Sequence, residues 1–256
     1  MSRRRFYQTI RLVVHAPSFR VLVGTILRIS VRVMLGPLGA RKRAELMNRL
    51  FNPAWEPSVT KRVKRLEGQI FVDCGANLGY YSFIAARRFR VVYAMEPEPN
   101  NIVQLKRGID RAGFKNIRVV EAAIADNEGY TLLSHSALPN PHPGHWTIEK
   151  EYVFTPTRHK RVQIPTNQSI TVPVHTLPNV LPNEIIDVVK VDVEGAEWRI
   201  LKGAESIMPR IRTWIIELHD LTRKRELVEY MSNHGYECDW LDEHHGLFSL
   251  KLPAAQ

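Results

Sequence analysis

A buried strand that breaks into a glycine turn and then a helix is the feature that most constrains the fold of this chain. Residues 71–82 read FVDCGANLGYYS, and a second apolar run, VVYAMEP, occupies residues 91–97. The second run ends at Glu96, 23 positions after Asp73. A glycine turn followed about 20 residues later by an acid is typical of a nucleoside-cofactor site, where the backbone approaches the ligand and the carboxylate binds the ribose hydroxyls.

The spacing of the turn indicates which nucleoside it suits. A dinucleotide fold uses G-x-G-x-x-G to seat a pyrophosphate on a helix N-terminus. Here the turn reads GANLG over residues 75–79 and follows Asp73, a fixed anion that would repel a pyrophosphate. The cationic ammonium and sulfonium of S-adenosylmethionine suit an acid at this place. Asn77 tolerates left-handed backbone angles almost as glycine does, so its position does not require glycine.

Short apolar runs alternate with helical patterns after Pro57. Strands are predicted at 69–74, 90–95, 117–124, 186–193, 213–218 and 247–252, and helices at 80–88, 101–113, 196–208 and 222–235. Such an order predicts an α/β fold with a mostly parallel sheet covered by helices on both faces. Ligands of these sheets bind beyond the carboxyl ends of the strands, and the glycine turn and the charged motifs of this chain fall at such ends.

Residues 134–182 interrupt the alternation. The segment is rich in proline, which disfavours a helix, and we expect a loop or short hairpins. As an insertion between the third and fourth strands it should lie over the cofactor edge, so we interpret it as a substrate lid. Its histidines lack the spacing of a metal site, and no metal site is predicted.

The positive charge is concentrated at the N-terminus. Residues 1–65 contain 15 of the 36 Lys and Arg residues but only Glu45 and Glu56, a net charge of +13. The remaining residues have 21 basic and 24 acidic groups, a net charge of −3. A basic arm on a nearly neutral body points to an anionic partner for the arm.

Within this arm, residues 19–35 have the pattern of an amphipathic helix with Arg20, Arg28 and Arg32 along one edge. Three interpretations stay open for residues 1–60. The helix packs on the body with solvated arginines, lies on an anionic membrane surface, or, least favoured, contacts nucleic acid. With only two cysteines and no signal sequence, we expect a cytoplasmic protein, peripheral at the inner membrane surface in the second interpretation.

Two acidic strand ends are candidates for the chemistry. In KVDVEGAEWRIL, residues 190–201, the alternation places Lys190, Asp192 and Glu194 on one face of a strand. Charges on a buried strand are costly unless they are paired or functional, and an ion pair with Lys190 would account for only one of the two acids. Glu197 lies in the first turn of the next helix, where it complements the helix dipole.

The next strand ends in IIELHD, residues 215–220, and places Glu217 and His219 on one face. An imidazole beside carboxylates is a candidate proton acceptor, because it titrates near neutral pH. A hydrogen-bonded histidine that closes the strand is an equally good interpretation of His219.

The stretches FVDCGANLGYYS, AMEPEPNN, VVKVDVEGAEWRILKG and IIELH together resemble the FkbM family of S-adenosylmethionine-dependent methyltransferases. The resemblance runs from about residue 70 to residue 219, and VDVEGAE is its most specific part. It implies a Rossmann-like, seven-stranded methyltransferase fold over residues 61–256 and methyl transfer to a hydroxyl oxygen of a sugar, glycolipid or small metabolite.

The resemblance also implies residue roles. Four loop residues would hold the methionine part of the cofactor: Asp73, Gly75, Asn77 and Gly79. Glu96 would bind the ribose hydroxyls and Asp126 would lie near the adenine. Asp192 and Glu194 would face the transferred methyl group and the acceptor, with His219 or Asp192 as the base of an in-line displacement.

Two other functions stay open from the sequence. One is an RNA methyltransferase guided by the basic arm, although the fourth strand ends in VDVEG rather than the N/D-P-P-aromatic motif of base-amino methylation. The other is a non-enzymatic protein that binds a membrane or a partner on a degenerate methyltransferase fold. The oligomeric state does not follow from the sequence.

Overall fold

The computed structural model describes residues 56–135, 146–148 and 169–251. Most of the basic arm and much of the 134–182 segment lie outside these residues, so the expectations for them stay predictions. None of the helices formed by the described residues is long and apolar enough to cross a lipid bilayer.

The strands are β1 (Gly68–Cys74), β2 (Phe89–Met95), β3 (Ile117–Val120), β4 (Ala123–Ile124), β5 (Gly129–His135), β6 (Trp146–Thr147), β7 (Ser169–His175), β8 (Ile186–Val191), β9 (Ile211–Glu217), β10 (Tyr236–Trp240) and β11 (His245–Leu250). The helices are α1 (Pro57–Val63), α2 (Tyr80–Ala85), α3 (Pro99–Ala112), α4 (Leu177–Val180), α5 (Glu197–Gly203) and α6 (Lys224–Asn233), with 3-10 turns at Glu205–Arg210 and Leu221–Arg223.

Seven of these strands form the main sheet, in the order β10-β11-β9-β8-β1-β2-β3. All neighbours are parallel except that β11 runs antiparallel to both β9 and β10. The predicted mostly parallel, seven-stranded fold is therefore confirmed. The sequence did not predict β10, because its residues alternate between buried and exposed and form no continuous apolar run.

The continuous apolar runs of the central strands reflect burial on both faces. On one face Val72, Val189 and Trp214 belong to the largest core cluster, which α5 and α6 cover. On the other face Phe71 and Val188 pack with residues of α1 and α2. Successive residues of a strand point to opposite faces, so a strand between two helical layers is apolar at most of its positions.

A second sheet, in the order β4-β7-β5-β6, differs from the sequence prediction. The single strand predicted at 117–124 is two strands, β3 in the main sheet and β4 in the second. Residues Ser169–His175, inside the segment where a loop or short hairpins were expected, form β7 and pair antiparallel with β5. Val172 and Val174 are buried at a spacing of two, which stabilises a strand despite Pro173.

The predicted helix at 196–208 is also divided. It is helical in α5 and continues as a 3-10 turn that contains Pro209. Gly203 ends α5 where a Cβ would lie 2.2 Å from the carbonyl oxygen of Ala125, so only glycine allows the two segments to approach this closely.

The strand order places a switch point between β1 and β8. From β1 the chain proceeds to β2 and β3 on one side, and it returns to add β8 and β9 on the other. In this register Asp73 lies opposite Lys190 and Cys74 lies opposite Val191. The carboxyl ends of β1 and β8 therefore coincide, and a crevice at such a point is the usual ligand site of an α/β sheet.

Candidate active site

The loop between β1 and α2 turns at three residues with left-handed backbone angles. The angle φ is 82° at Gly75, 49° at Asn77 and 90° at Gly79, as the sequence predicted for Asn77. A Cβ on Gly75 would lie 1.8 Å from the carbonyl oxygen of Asp192, which follows β8. The loop therefore packs directly against the end of the neighbouring strand.

Glu96, just after β2, fixes this loop from the other side. Its Oε2 accepts a hydrogen bond from the backbone N–H of Asn77 at 2.8 Å. Its Oε1 accepts from the N–H of Glu98 at 3.0 Å and from Nδ2 of Asn101 at 3.2 Å. Burial raises the pKa of Glu96, although these hydrogen bonds act in the opposite direction. The carboxylate lies beside the loop, and its role toward a ribose stays a prediction.

Asp73 lies beneath the loop rather than at its surface. Its carboxylate is 1% exposed and accepts a hydrogen bond of 2.6 Å from Oγ of Ser82 in α2. Burial raises the pKa of Asp73, while the nearby charge of Lys190 lowers it. The sequence placed Asp73 at the entrance of the loop but did not predict its buried partner Ser82, and its contact with the methionine part of the cofactor stays a prediction.

Asp126, which was expected near the adenine, follows β4 and forms an ion pair of 2.8 Å with Arg199 of α5. The same guanidinium donates a hydrogen bond of 2.6 Å to Oδ1 of Asn127. This pairing accounts for the charge of Asp126 without a ligand, and its proposed contact with the adenine stays a prediction.

Lys190 and Asp192 form a buried ion pair at the end of β8. The ammonium is 2.9 Å from Oδ2 of Asp192 and lies 4.6 Å from the ring centre of Tyr81. Burial alone would raise the pKa of Asp192, but the charges of Lys190 and His219 outweigh it and hold this pKa well below its usual value. The predicted pairing of Lys190 with one of the two acids is thus observed.

His219, just beyond β9, is surrounded by carboxylates. Its Nδ1 is 2.8 Å from Oε1 of Glu197, and its Nε2 is 3.3 Å from Oε2 of Glu194 and 3.7 Å from Oε1 of Glu217. Burial lowers the pKa of His219, but the charge of Glu197 and the hydrogen bonds to Glu194 and Glu197 raise it well above its usual value. These carboxylates therefore favour the protonated form of the imidazole.

Glu197 has a larger role than the helix-dipole contact expected from the sequence. Its side chain is 2% exposed, and Oε1 accepts a hydrogen bond of 2.8 Å from the backbone N–H of Gly195 as well as the contact with His219. It therefore fixes both the turn that carries Glu194, where φ is 53°, and the orientation of the imidazole.

Glu217 completes this group, which we call the acidic cluster: Lys190, Asp192, Glu194, Glu197, Glu217 and His219. Burial and the charge of Asp192 raise the pKa of Glu217 to about 7, although a hydrogen bond with His245 lowers it. Glu217 also hydrogen-bonds to Asp192, and the pKa values of the two carboxyl groups move apart, that of Glu217 upward and that of Asp192 downward. The cluster adjoins the glycine loop through the contact between Gly75 and Asp192.

A family model for the methyltransferase FkbM domain matches residues 73–238, which include the glycine loop and the acidic cluster. The chain belongs to the FkbM methyltransferase family. The resemblance seen in the sequence is thus confirmed, and so is the prediction of a methyltransferase.

Two methyltransferases and one solved structure illustrate what this chain is similar to. It is 27% identical over 191 residues to the 31-O-demethyl-FK506 methyltransferase FkbM of Streptomyces tacrolimicus, covering 66% of this chain and 73% of the relative. It is 25% identical over 169 residues to the hexuronic acid methyltransferase AglP of Haloferax volcanii, covering 65% of this chain and 62% of the relative. A solved FkbM methyltransferase from Methylobacillus flagellatus shares 17% identity at a TM-score of 0.49, over 72% of this chain and 44% of that one.

The FkbM motifs VDVEGAE and IIELH contain every carboxylate of the acidic cluster. What the sequence could not show is that residues from β8, α5 and β9 converge on one imidazole. It also gave no role to His245, whose Nδ1 is 2.7 Å from Asp242 and whose Nε2 is 3.5 Å from Glu217. A second histidine far along the chain has no signal in a local motif.

Proposed function

We propose that this chain transfers the methyl group of S-adenosylmethionine to a hydroxyl oxygen of a sugar or another small molecule. The observation that carries the proposal is the contact between Gly75 and the carbonyl oxygen of Asp192. It joins a loop suited to the cofactor with a cluster of carboxylates suited to a hydroxyl acceptor, so that donor and acceptor meet at the carboxyl ends of β1 and β8.

In the proposed reaction the acceptor oxygen attacks the methyl carbon in line with the carbon–sulfur bond. The carbon–oxygen bond forms as the carbon–sulfur bond breaks, and the leaving group is neutral S-adenosylhomocysteine. The hydroxyl proton passes to a carboxylate of the cluster and then to water. Orientation of the two reactants supplies most of the rate enhancement in such a displacement, about 7–11 kcal/mol at most.

Asp192 and Glu217 are the carboxylates that suit the proton-accepting role. Both are about one-fifth exposed, and burial together with the charge of Asp192 raises the pKa of Glu217 to about 7, which suits a proton acceptor near neutral pH. His219 is 4% exposed, and both of its ring nitrogens face carboxylates within 3.3 Å. We therefore assign His219 a positioning role in place of the basic role that the sequence suggested.

The named substrates of two relatives support a small hydroxylated acceptor. One relative is described as acting on a hexuronic acid and the other on 31-O-demethyl-FK506. We further propose that residues 61–256 form the methyltransferase domain and that residues 134–182 contribute a lid over the acceptor.

The test is transfer of a labelled methyl group from S-adenosylmethionine to a panel of hexuronic acids, glycolipids and hydroxylated macrocycles, with mass analysis of the product. Calorimetry should show binding of S-adenosylmethionine by the full chain. In Gly75→Ala this binding should be lost, because the added methyl group overlaps the carbonyl oxygen of Asp192.

Gly113→Ala is the matched control, since Gly113 also has a positive φ of 74° but a Cβ there meets no atom within 4 Å. Failure of the unaltered chain to bind S-adenosylmethionine at millimolar concentration would refute the proposal.

A further inference from the structure

We propose that the acidic cluster binds one divalent transition-metal ion, with Asp192, Glu194 and His219 as its ligands. The ligand atoms of these three side chains lie within 4.8 Å of one another, close enough to share one ion. They come from the ends of two adjacent strands, which explains why no metal-ligand spacing is visible in the sequence.

The orientation of His219 supports this site. A metal-binding histidine almost always directs its other ring nitrogen to a carboxylate, backbone carbonyl or water, which fixes the ring and its tautomer. Here Glu197, 2% exposed, holds Nδ1 at 2.8 Å and so directs Nε2 toward the carboxylates of the cluster. Glu197 is in turn fixed by the backbone N–H of Gly195, so the imidazole has no freedom to turn away.

The distances around Nε2 also fit an ion. Nε2 is 3.3 Å from Oε2 of Glu194 and 3.7 Å from Oε1 of Glu217. Two ligands that each lie about 2.0–2.2 Å from a shared metal are about 2.8–3.1 Å apart at a right angle in octahedral geometry and about 3.3–3.6 Å apart in tetrahedral geometry. Nε2 of His219 and Oε2 of Glu194 therefore already have a separation that a shared ion would give them.

The pattern is repeated on the far side of Glu217. His245 has Nδ1 held at 2.7 Å by Asp242, and its Nε2 lies 3.5 Å from Oε2 of Glu217. Two imidazoles, each fixed by its own carboxylate, thus point at the two oxygens of one glutamate. Glu217 is therefore not one of the three proposed ligands, but it lies beside the ion site and connects that site to His245.

The charges of the cluster favour a cation as well. Four carboxylates, those of Asp192, Glu194, Glu197 and Glu217, surround a single lysine ammonium and His219. All are less than one-quarter exposed, and buried charge of one sign is costly unless it is compensated.

The ligand chemistry indicates the class of metal. A set of one imidazole and two or three carboxylates suits Mn²⁺, Fe²⁺, Co²⁺ or Zn²⁺, whereas Mg²⁺ and Ca²⁺ prefer oxygen ligands alone. An ion at this place would act as a Lewis acid on the acceptor hydroxyl, and in this respect the inference rests on the proposed function. The binding of the ion itself does not depend on that function.

The experiment is titration of the metal-free full chain with Mn²⁺, followed by electron paramagnetic resonance of the free ion and by calorimetry. We expect one Mn²⁺ per chain and competition by Zn²⁺. Glu194→Gln should weaken Mn²⁺ binding at least about tenfold, and Glu197→Gln by about 10- to 100-fold, as found for the outer partners of metal-bound histidines. The amide oxygen introduced by Glu197→Gln can still accept from the N–H of Gly195, so this second variant should keep its fold.

Glu128→Gln is the matched control, because Glu128 also contacts a histidine, His175, but both side chains are about 40% exposed. Its Mn²⁺ affinity should equal that of the unaltered chain. Absence of stoichiometric Mn²⁺ binding, or equal affinity in Glu194→Gln and Glu128→Gln, would overturn the inference.

The two proposals can fail separately. A metal-free chain that transfers methyl groups at full rate overturns the metal's catalytic role and leaves the proposed function intact. A chain that binds Mn²⁺ but not S-adenosylmethionine overturns the proposed function and supports the metal site.

Discussion

The two sides of the crevice hold their buried acids in different ways. On the proposed cofactor side Asp73 and Glu96 are bound by uncharged donors: a serine hydroxyl, two backbone N–H groups and an asparagine amide. On the proposed acceptor side Asp192 and Glu194 face cationic partners, Lys190 and His219. Hydrogen bonds from neutral donors fix the positions of the carboxyl groups, whereas charged partners also shift their protonation equilibria. The proposed methyl transfer to a hydroxyl requires a change of protonation only on the acceptor side.

Asp192→Asn tests the acceptor side and should have the largest effect. With one carboxylate of the proton-accepting pair removed, turnover should fall by about 10²–10⁴-fold. The dissociation constant for S-adenosylmethionine should stay close to that of the unaltered chain, because the loop contact involves the backbone of Asp192. Methyl-transfer kinetics and calorimetry measure the two quantities, with Asp239→Asn, at an exposed position of β10, as control. Unchanged turnover would contradict the proposal that the acceptor side, unlike the cofactor side, takes part in proton transfer.

Lys190→Met should have the next largest effect, which is a loss of stability. It removes the ammonium that compensates Asp192 and lies near Asp73, and loss of one partner of a buried pair costs about 3–5 kcal/mol. The free energy of unfolding in urea reports this loss. In Lys106→Met the removed partner of Glu121 is about half exposed, and the cost should stay below about 1 kcal/mol. Similar losses in both variants would show that Lys190 is not a buried counterion.

Glu96→Gln tests the cofactor side and should have an intermediate effect. Three donors point at the two oxygens of Glu96, and a glutamine would turn an NH₂ group toward at least one of them. The affinity for S-adenosylmethionine should fall by about 10- to 100-fold, which corresponds to about 1–3 kcal/mol for a buried donor left unsatisfied. Turnover at saturating cofactor should be preserved. A fall in turnover with unchanged cofactor affinity would show that Glu96 acts on the acceptor side and not in cofactor binding.

Glu128→Gln should have the smallest effect, since Glu128 lies in the turn before β5 and contacts His175 and Thr176 rather than a residue of either side. Slight burial raises the pKa of Glu128, but hydrogen bonds from His175 and Thr176 lower it to about 2. Because the folded pKa is below the unfolded one, this stabilisation is complete above about pH 4.3 and is lost as the pH falls toward 2.

The pair of Glu128 and His175 is about 40% exposed, so the difference in unfolding free energy from the unaltered chain should be small at neutral pH and smaller still near pH 3. Urea unfolding at both pH values measures it. A difference that grows on acidification would contradict the assignment.

The sequence predicted the parts of this molecule that depend on neighbouring residues. The buried strands, the left-handed Asn77 and the shared face of Lys190 and Asp192 each follow from local pattern and spacing. It did not predict the second sheet, because β4 has two residues and β7 lies in a proline-rich segment.

The partners of the acidic cluster escaped the sequence for a related reason. Glu197 reaches His219 across 22 positions, and Glu217 reaches His245 from an adjacent antiparallel strand. Such contacts depend on strand order and register, which the spacing of residues along one segment does not determine.

The contact between Gly75 and the carbonyl oxygen of Asp192 has a consequence for recombination among relatives. The two residues are 117 positions apart, yet a Cβ added to one would lie 1.8 Å from the backbone of the other, so neither segment can shift toward its neighbour. A chimera with a crossover anywhere between them inherits one half of this contact from each parent. We therefore expect that chimeras with altered acceptor specificity will fold when only an internal segment, such as residues 134–182, is exchanged. Gly75 and Asp192 then both come from the same parent.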